Sequence, residues 1–359
     1  MNNLQNKRVG VDCGRYVPYG KVRNGIERIL DSFVRSLSDV DKTNFYWYTF
    51  GRDEIDNFLL GRVRFLQARL FGSVGLPYNV LRDKCNVFLG FSGYSPPMLE
   101  FSKIHKIIFM YDTGFITKPE YYTNSNRLTE QTKQALEQAN TVITLSETAK
   151  KQYQKAFPTK LTKKITVIHA GYDHLKGVRQ KNIPGITSTE FFLYVGVIKP
   201  IKNIERILEI FTYYIRKNPT SKTKLVLVGK KESEYFQNLC TNEYFKESEQ
   251  RLIFLDTISD AELVFLYKHA KAFLNMSREE GFCFPVGEAL FFGCPVIVNK
   301  LPLYSEIKHE FPELSIVSTT REIVEKMNNS PRSSQRKISK QFTWTHFTTQ
   351  LLKKIQTEV

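Results

Sequence analysis

Short apolar runs alternate with longer amphipathic segments along most of this 359-residue chain. In the first half, runs rich in β-branched and aromatic residues predict strands at 8–13, 44–50, 86–91, 106–112, 140–146 and 164–169. Between them, segments 24–37 and 127–139 carry apolar residues at the three- and four-residue spacing of a helix. Strands that are apolar throughout and separated by helices are typical of parallel sheets covered on both faces.

The same alternation begins again after the polar stretch 176–190. It predicts strands at 191–198, 223–229, 251–256, 272–277 and 294–299, with helices at 203–218 and 261–270. Two such runs predict an α/β protein with two doubly wound, Rossmann-like domains and a ligand site in the crevice between them. We place the domains at 1–180 and 188–341, and the amphipathic segment 342–359 predicts a C-terminal helix.

The chain has a large excess of basic over acidic residues. The chain has 52 Lys and Arg against 36 Asp and Glu, a formal charge of +16, and the first 180 residues hold most of this excess. Such a field attracts polyanions, whether nucleic acid, an anionic lipid surface or a phosphorylated substrate, and charge alone does not choose among them. The 42% of hydrophobic residues excludes a disordered chain.

Targeting and metal signals are weak throughout. The five cysteines are scattered and show no Cys-x-x-Cys spacing. No secretory signal and no 18-residue apolar stretch is evident. The sequence therefore predicts a cytoplasmic protein, at most peripheral on the inner face of a membrane. Asp39-Val40-Asp41 follows a helical pattern and is interpreted as a solvated helix end. No histidine cluster has metal-ligand spacing, so we expect no metal site.

The most informative segment is 278–299, which predicts a loop after a strand and then a helix with Pro285 in its first turn. Glu280 and Glu288 would lie about 12 Å apart on helical rise, comparable with the distance between the sugar and ribose ends of a nucleotide sugar. Backbone amides from Gly281 onward would favour a bound diphosphate. The alternative is a solvated carboxylate pair around a capped helix.

The pattern Glu280-Gly281-Phe282, Pro285, Glu288, Gly293 and 295–297 resembles the donor-site motif of the retaining glycosyltransferases of family 4. That resemblance implies the GT-B fold, with the C-terminal helix crossing back to the first domain. It also implies that Glu280 contacts the transferred sugar and Glu288 the ribose, with Gly281 and Phe282 in the donor site.

A second segment, 192–211, resembles the first strand, glycine turn and helix of that family's donor domain. Gly196 would form the turn, and Lys199 and Lys202 would face the donor phosphates, where cations neutralise charge on the leaving nucleoside diphosphate. The alternative is two surface lysines. The chain lacks the arginine that many relatives carry in this turn.

The first half resembles the family more loosely. Gly25 and Ile26 would bring backbone amides near phosphate or acceptor. Where relatives often have His-Asp on the acceptor side, this chain has Tyr111 and Asp112. Asp112 would either orient an acceptor hydroxyl, as a catalytic residue, or cap a turn as a buried strand-end aspartate. Other family-like positions are interpreted as structural: Ser146, Gly171 and Asp173.

The resemblance implies a retaining, metal-independent hexosyltransferase with no cofactor, whose donor is a nucleoside-diphosphate sugar. GDP-mannose is favoured for the donor, and a glycan or lipid-linked saccharide of cell-surface polysaccharide synthesis for the acceptor. Three alternatives stay open: another GT-B enzyme such as a nucleotide-sugar epimerase or a phosphorylase, a chain that has lost activity, and a basic nucleic-acid-binding protein. The last is motivated by charge alone, since no nucleic-acid-binding signature is present.

Segment 61–84 interleaves arginines with apolar residues, namely Arg62, Arg64, Arg69 and Arg82 with Phe65, Leu66, Leu70 and Phe71. Such a pattern can lie on an anionic membrane. The alternative interpretation of this segment is a core helix with its arginines on the solvent-exposed face.

Overall fold

The computed structural model describes Leu4 and residues 7–14, 24–50, 62–329, 331–332 and 339–358. The chain divides into two compact units, Met1–His174 with Lys340–Val359, and Leu175–Ser339. The domain boundaries predicted from the sequence fall slightly later along the chain, at 180, 188 and 341.

The first unit is built on a seven-stranded sheet in the order β3-β2-β1-β4-β5-β6-β7, with every pairing parallel. Its strands are β1 Val9–Gly14, β2 Phe45–Thr49, β3 Arg62–Phe65, β4 Val87–Gly90, β5 His105–Phe109, β6 Thr141–Thr144 and β7 Ile165–Val167. Its helices are α1 Gly25–Ser36, α2 Asp39–Lys42, α3 Leu76–Arg82, α4 Gly114–Thr117, α5 Ser125–Gln138, α6 Glu147–Ala156, α7 Thr159–Thr162 and, at the C-terminus, α15 Trp344–Glu358.

The second unit repeats this plan with a six-stranded parallel sheet in the order β10-β9-β8-β11-β12-β13. Its strands are β8 Phe191–Val195, β9 Lys224–Val228, β10 Leu252–Leu255, β11 Ala272–Asn275, β12 Val296–Asn299 and β13 Ser315–Val317. Its helices are α8 Ile204–Lys217, α9 Ser233–Thr241, α10 Glu243–Ser248, α11 Asp260–His269, α12 Phe284–Phe291, α13 Pro302–Ile307 and α14 Thr320–Asn329.

Helix boundaries follow local chemistry. Asn24 caps α1 by accepting from the Glu27 amide at 3.0 Å, and Ser259 and Glu262 form a reciprocal capping box at the start of α11. Apolar residues on one side of α8, including Ile204, Ile207 and Phe211, are fully buried against the sheet. Burial of that stripe stabilises the helix more than its intrinsic propensity does.

The C-terminal helix belongs to the first unit, as predicted. The Phe347 ring packs on Phe33 of α1 and Phe109 of β5, with centroids 6.4 and 6.1 Å away. Asp173 accepts a hydrogen bond from the Trp344 amide at 3.0 Å, and Gly171 lies directly against Trp344. Both residues therefore have the structural role predicted for them. Ser146 does too, because it caps α6 by accepting from the Ala149 amide at 3.0 Å.

Two interpretations were wrong. Segment 61–84 is not one core helix, because it contains edge strand β3, a 3-10 turn at Ala68–Leu70, a π-helical turn at Phe71–Gly75 and then α3. Asp39-Val40-Asp41 does form a helix end, but Asp41 is buried and accepts a 2.6 Å hydrogen bond from Ser38. Strands β3 and β13 were missed.

Candidate functional site

Lys202 and Glu280, two of the predicted donor residues, meet where the strand order of the second sheet reverses. β8 and β11 are neighbours, yet the chain leaves them toward opposite edges of the sheet. In doubly wound sheets this switch point opens a crevice at the carboxyl ends of the strands, where ligands bind. Gly196 directly follows β8, and the segment 276–283 directly follows β11.

Two glycines allow the chain to turn tightly beside β8. Gly196 has φ +154° and Gly229, after β9, has φ +143°. A Cβ on Gly196 would lie 2.7 Å from the Tyr194 hydroxyl, and one on Gly229 would collide with the Gly196 carbonyl oxygen. Only glycine fits this close backbone approach. Gly229 was not predicted, although its place as the last residue of a predicted strand was a usable signal.

Lys202 ends a 3-10 turn, Pro200–Lys202, which is fixed against the loop after β11. The Arg278 amide donates to the Ile201 carbonyl at 2.9 Å, and the Asn203 side chain donates to the Met276 carbonyl at 3.1 Å. These bonds bring the Lys202 Nζ to 2.7 Å from Glu280 Oε1. Two residues that are 78 positions apart in the sequence thus form one ion pair.

Glu280 is only 9% exposed and is held by several donors. Besides Lys202, Ser277 Oγ donates to Oε1 at 2.7 Å and Asn275 Nδ2 lies 3.5 Å from the same oxygen. Burial alone would raise the pKa of Glu280, but the Lys202 charge and these hydrogen bonds outweigh it, so the pKa lies below its ordinary value. Glu280 is therefore an anion fixed in one orientation.

A further layer orients these donors. Asn275 Oδ1 accepts from the Tyr304 hydroxyl at 3.0 Å and from the Ser277 amide at 3.0 Å. The Asn275 amide group is thereby directed toward Glu280. Asn275, Ser277 and Tyr304 were missed by sequence reasoning, since only the folded chain brings them to the carboxylate.

The donor helix α12 begins in an unusual way. Cys283, its N-cap, has φ +58° and ψ 73°, a left-handed conformation that a residue with a side chain adopts at some cost. It is buried, and burial raises the pKa of its thiol. Gly281 and Phe282 precede it and are also buried, with the Phe282 ring 5.0 Å from that of Phe284.

Glu288 lies inside α12 and is 4% exposed. Its Oε2 accepts a 2.7 Å hydrogen bond from the Tyr267 hydroxyl of α11. Since Glu280 is also buried, the alternative of a solvated carboxylate pair is wrong. Lys199 stands before the 3-10 turn and is half-buried, so it is not a fully exposed surface lysine.

In the first unit, Gly25 and Ile26 form the exposed first turn of α1. The Tyr111 hydroxyl is committed to the Phe91 carbonyl at 2.5 Å. Asp112 is exposed rather than buried, and its Oδ1 accepts from the Gly114 amide at 3.3 Å, so it does cap the turn. It also lines a cavity, which keeps the acceptor role open as a proposal.

That cavity, about 210 Å³ in volume, lies beyond the carboxyl ends of β4 and β5. Its walls are aromatic and polar, with contributions from Ser92, Tyr94, Tyr111, Asp112, Phe115 and Gln131. Ser92 Oγ donates at 2.5 Å to Asp12, a buried carboxylate at the end of β1. Burial raises the pKa of Asp12, and the bonds from Ser92 and the Gly14 amide only partly offset this. Asp12 and Ser92 were missed, although Asp12 lies within a predicted strand and Ser92 directly follows one.

Among the described residues, no group of three or more His, Cys, Asp or Glu side chains could hold a metal ion. Within the same part of the chain, no helix is both long and apolar enough to span a membrane.

Comparison of the two units with solved proteins identifies their architecture. A structure of Anabaena Alr3699/HepE in complex with UDP and glucose superposes with a TM-score of 0.67, covering 98% of this chain and 97% of that one at 16% identity. The fold is therefore GT-B, the architecture predicted from the sequence.

Sequence comparison relates part of the chain to a known family. Residues 179–330 match the family described as Glycosyl transferases group 1, and this matched region holds Lys202, Glu280 and Glu288. The O-antigen chain mannosyltransferase RfbU of Salmonella typhimurium is 27% identical over 175 residues, or 49% of this chain. The chain matches about half, 46%, of that relative's length. The O-antigen chain mannosyltransferase B of Escherichia coli is 23% identical over 295 residues, 76% of this chain and 74% of the relative.

Proposed function

We propose that the protein is a retaining glycosyltransferase that moves a sugar from a nucleoside-diphosphate sugar to a glycan or lipid-linked saccharide. The observation that carries the proposal is the 2.7 Å Lys202–Glu280 pair at the switch point of the second sheet. A cation there can bind diphosphate oxygens, while a fixed carboxylate can accept hydrogen bonds from a sugar. The family match of residues 179–330 supports this reading.

Lys202 and Glu280 are assigned different roles in binding the donor. The described hydrogen bonds to the Glu280 carboxylate end on Oε1, which leaves Oε2 as the oxygen we assign to a sugar hydroxyl. Lys202 neutralises charge that develops on the leaving phosphate, and Lys199 contributes to the same field. Glu288 binds the ribose. Gly281, Phe282 and Gly196 shape the donor site.

In the proposed reaction, the bond from the anomeric carbon to the diphosphate oxygen breaks. The acceptor oxygen bonds to that carbon on the same face, and the acceptor proton passes to the departing phosphate oxygen. The protein supplies positioning and charge neutralisation, with no metal ion or cofactor required.

For the acceptor, we propose the cavity of the first unit. Aromatic walls with hydroxyl, amide and carboxylate groups suit a sugar ring, which presents both apolar faces and hydroxyls. Asp112 is the residue we assign to an acceptor hydroxyl, and we assign the backbone amides of Gly25 and Ile26, in the same unit, to phosphate or acceptor. Because the named relatives are mannosyltransferases of O-antigen chains, we propose mannose as the sugar, GDP-mannose as the donor and cell-surface polysaccharide synthesis as the process.

A thermal-shift panel of GDP, UDP, ADP and their sugar conjugates tests the donor, since a ligand that binds only the native state raises the melting temperature. Nucleotide release is then followed with and without saccharide acceptors. We expect Glu280→Gln and Lys202→Ala to slow acceptor-dependent release by about 100-fold. Glu279→Gln, which removes the adjacent carboxylate, should not. Conversion of the donor without an acceptor would instead indicate an epimerase, and unchanged rates in both site variants would refute the residue assignment.

A further inference from the structure

Exposed apolar side chains are concentrated in one stretch of the first unit. Of the nine large hydrophobic residues exposed in the described part of the chain, six lie between positions 70 and 101: Leu70, Val74, Tyr78, Leu81, Met98 and Phe101. Scattered single residues of this kind are normal at protein surfaces, but a local group indicates a contact surface.

The first four follow a helical path through residues 68–82, at spacings of four, four and three residues. This spacing places them along one side of the path. The opposite side carries Phe71, Leu76 and Val80, which are buried in the core of the first unit. The segment is therefore anchored by one face and presents the other to solvent.

A neighbouring turn extends this surface. Leu99 of the turn Pro97–Leu99 is buried in the same core cluster as Phe71 and Leu76. Met98 and Phe101 on either side of it are exposed, and Phe101 retains 94% of its accessible area. We call residues 69–84 together with 97–103 the apolar-basic surface.

The charges on this surface are mostly positive. Arg69, Arg82, Lys84 and Lys103 are exposed, and Glu100 is the exposed carboxylate among them. The Arg82 guanidinium lies 6.0 Å from the centre of the Tyr78 ring. Asp83 offsets these charges only in part, because it is buried, pairs with Arg64 at 2.5 Å and lies 3.6 Å from the Arg82 guanidinium. The whole unit has 28 Lys and Arg against 17 Asp and Glu.

We infer that the apolar-basic surface docks on an anionic lipid bilayer. Apolar side chains beside cations fit the boundary between acyl chains and anionic head groups, whereas a protein partner would need complementary shape and charge of its own. The residues differ from those that the sequence pattern suggested, since Phe71 is buried and Arg64 is paired internally. The side chains of Arg62 and Phe65 lie outside the described residues.

Docking here has a consequence for the cavity of the same unit. Tyr94, which lines the cavity, packs against Gly72 in the helical path, with 3.4 Å to a Cβ built there. Lipid binding would hold this cavity close to the bilayer, where a lipid-linked saccharide resides. This consequence rests on the proposed acceptor site, but the lipid binding itself does not.

Vesicle flotation with the full chain tests the inference. We expect the wild type to float with phosphatidylcholine vesicles containing roughly one third phosphatidylglycerol, to float poorly with pure phosphatidylcholine, and to detach as salt rises. Arg69→Gln with Arg82→Gln should lower the partition coefficient about fivefold for each arginine removed. Tyr78→Ser with Leu81→Ser should lower it by a similar factor or more.

Val40→Ser, which removes an exposed apolar side chain elsewhere in the same unit, is the matched control and should float like the wild type. The substituted side chains are exposed, so unchanged melting temperatures should accompany the loss. Failure of the wild type to float would overturn the inference, even if the surface captured a protein instead. Equal flotation of all variants, or equal binding to neutral vesicles, would overturn it too. Flotation needs no catalysis, so a failed transfer assay would leave this result standing.

Discussion

Replacing Lys202 by methionine should destabilise the second unit by an amount that depends on pH. Methionine keeps much of the length and apolar volume of lysine but removes the charge. Glu280 would then stay buried, with hydrogen bonds from Ser277 and Asn275 but without a cation. Lysine and carboxylate side chains are 21% and 8% exposed in this pair, so solvent screens it only in part.

Removing one partner of a fully buried ion pair costs roughly 3–5 kcal/mol. Lys202 is partly solvated and Glu280 keeps two other donors, so we expect a loss of about 2 kcal/mol in unfolding free energy at neutral pH. The double variant Lys202→Met with Glu280→Gln leaves no buried charge and should recover about half of that loss.

The pH dependence of the unfolding free energy is a second, independent test of the role of Lys202. In the wild type, the pKa of Glu280 lies below its ordinary value of 4.5, so its stabilising contribution is present above that pH and is lost as pH falls through the folded-state pKa. Without Lys202, burial dominates and should raise the pKa of Glu280 above its ordinary value. Protonation then relieves the buried charge as pH falls. The stability difference between wild type and variant should therefore be largest near neutral pH and shrink toward acid pH.

Urea unfolding followed by fluorescence across this pH range measures both quantities, with Lys222→Met, an exposed lysine of the same unit, as the control. A stability difference that stays constant with pH would refute the reasoning. So would a double variant that is no more stable than Lys202→Met alone.

Three further predictions concern single positions. Glu288→Gln should weaken nucleoside-diphosphate binding by roughly tenfold or more, measured by calorimetry, because the charged hydrogen-bond acceptor that we propose for the ribose is lost. At Cys283, φ is +58°, so the glycine variant should be more stable than the alanine variant by about 1 kcal/mol and should melt at a higher temperature. This order is the reverse of the usual one at helix positions, where alanine is more stable than glycine. Gly171→Ala should destabilise the first unit by about 2 kcal/mol, because the new Cβ collides with Trp344. Gly177→Ala is the control, because φ is +81° there and no atom lies within 4 Å of the new Cβ. It should lose only about 1 kcal/mol of unfolding free energy, from conformational strain. Equal losses at the two glycines would contradict the packing argument.

The elements that the sequence pattern predicted well are those whose pattern is set by burial. Central strands such as β4 and β8 are apolar throughout because helices cover both faces, and their runs are conspicuous. Strand β3 was missed because Arg62-Val63-Arg64-Phe65 alternates at a sheet edge and reads equally well as a polar helix face. Strand β13 has only three residues, too few for any periodicity.

The residues of the candidate site also fall into those that the sequence pattern predicts and those that it does not. Glu280 and Glu288 stand in a local motif, which the sequence displays directly. Asn275 and Tyr304 act through contacts that depend on where β11 and α13 pack, and no spacing in the sequence encodes that packing. Asp41 was misjudged for a related reason, because its burial comes from Ser38 and the surrounding fold rather than from its neighbours' hydropathy.

Each unit places a carboxylate beside the switch point of its sheet, but the surroundings of the two carboxylates differ. Glu280 lies in the loop after β11 and is kept ionised by a lysine. Asp12 lies in β1, two residues before that strand ends; its hydrogen-bond donors are a hydroxyl and an amide, and burial raises its pKa. A fixed charge pair suits a ligand that itself carries charge, whereas a buried carboxylate beside a serine hydroxyl suits a ligand rich in hydroxyl groups. On the proposed function, the charged donor would therefore bind in the second unit and the acceptor saccharide in the first, because the strand order fixes where each site lies and the residues near each strand end fix what it binds.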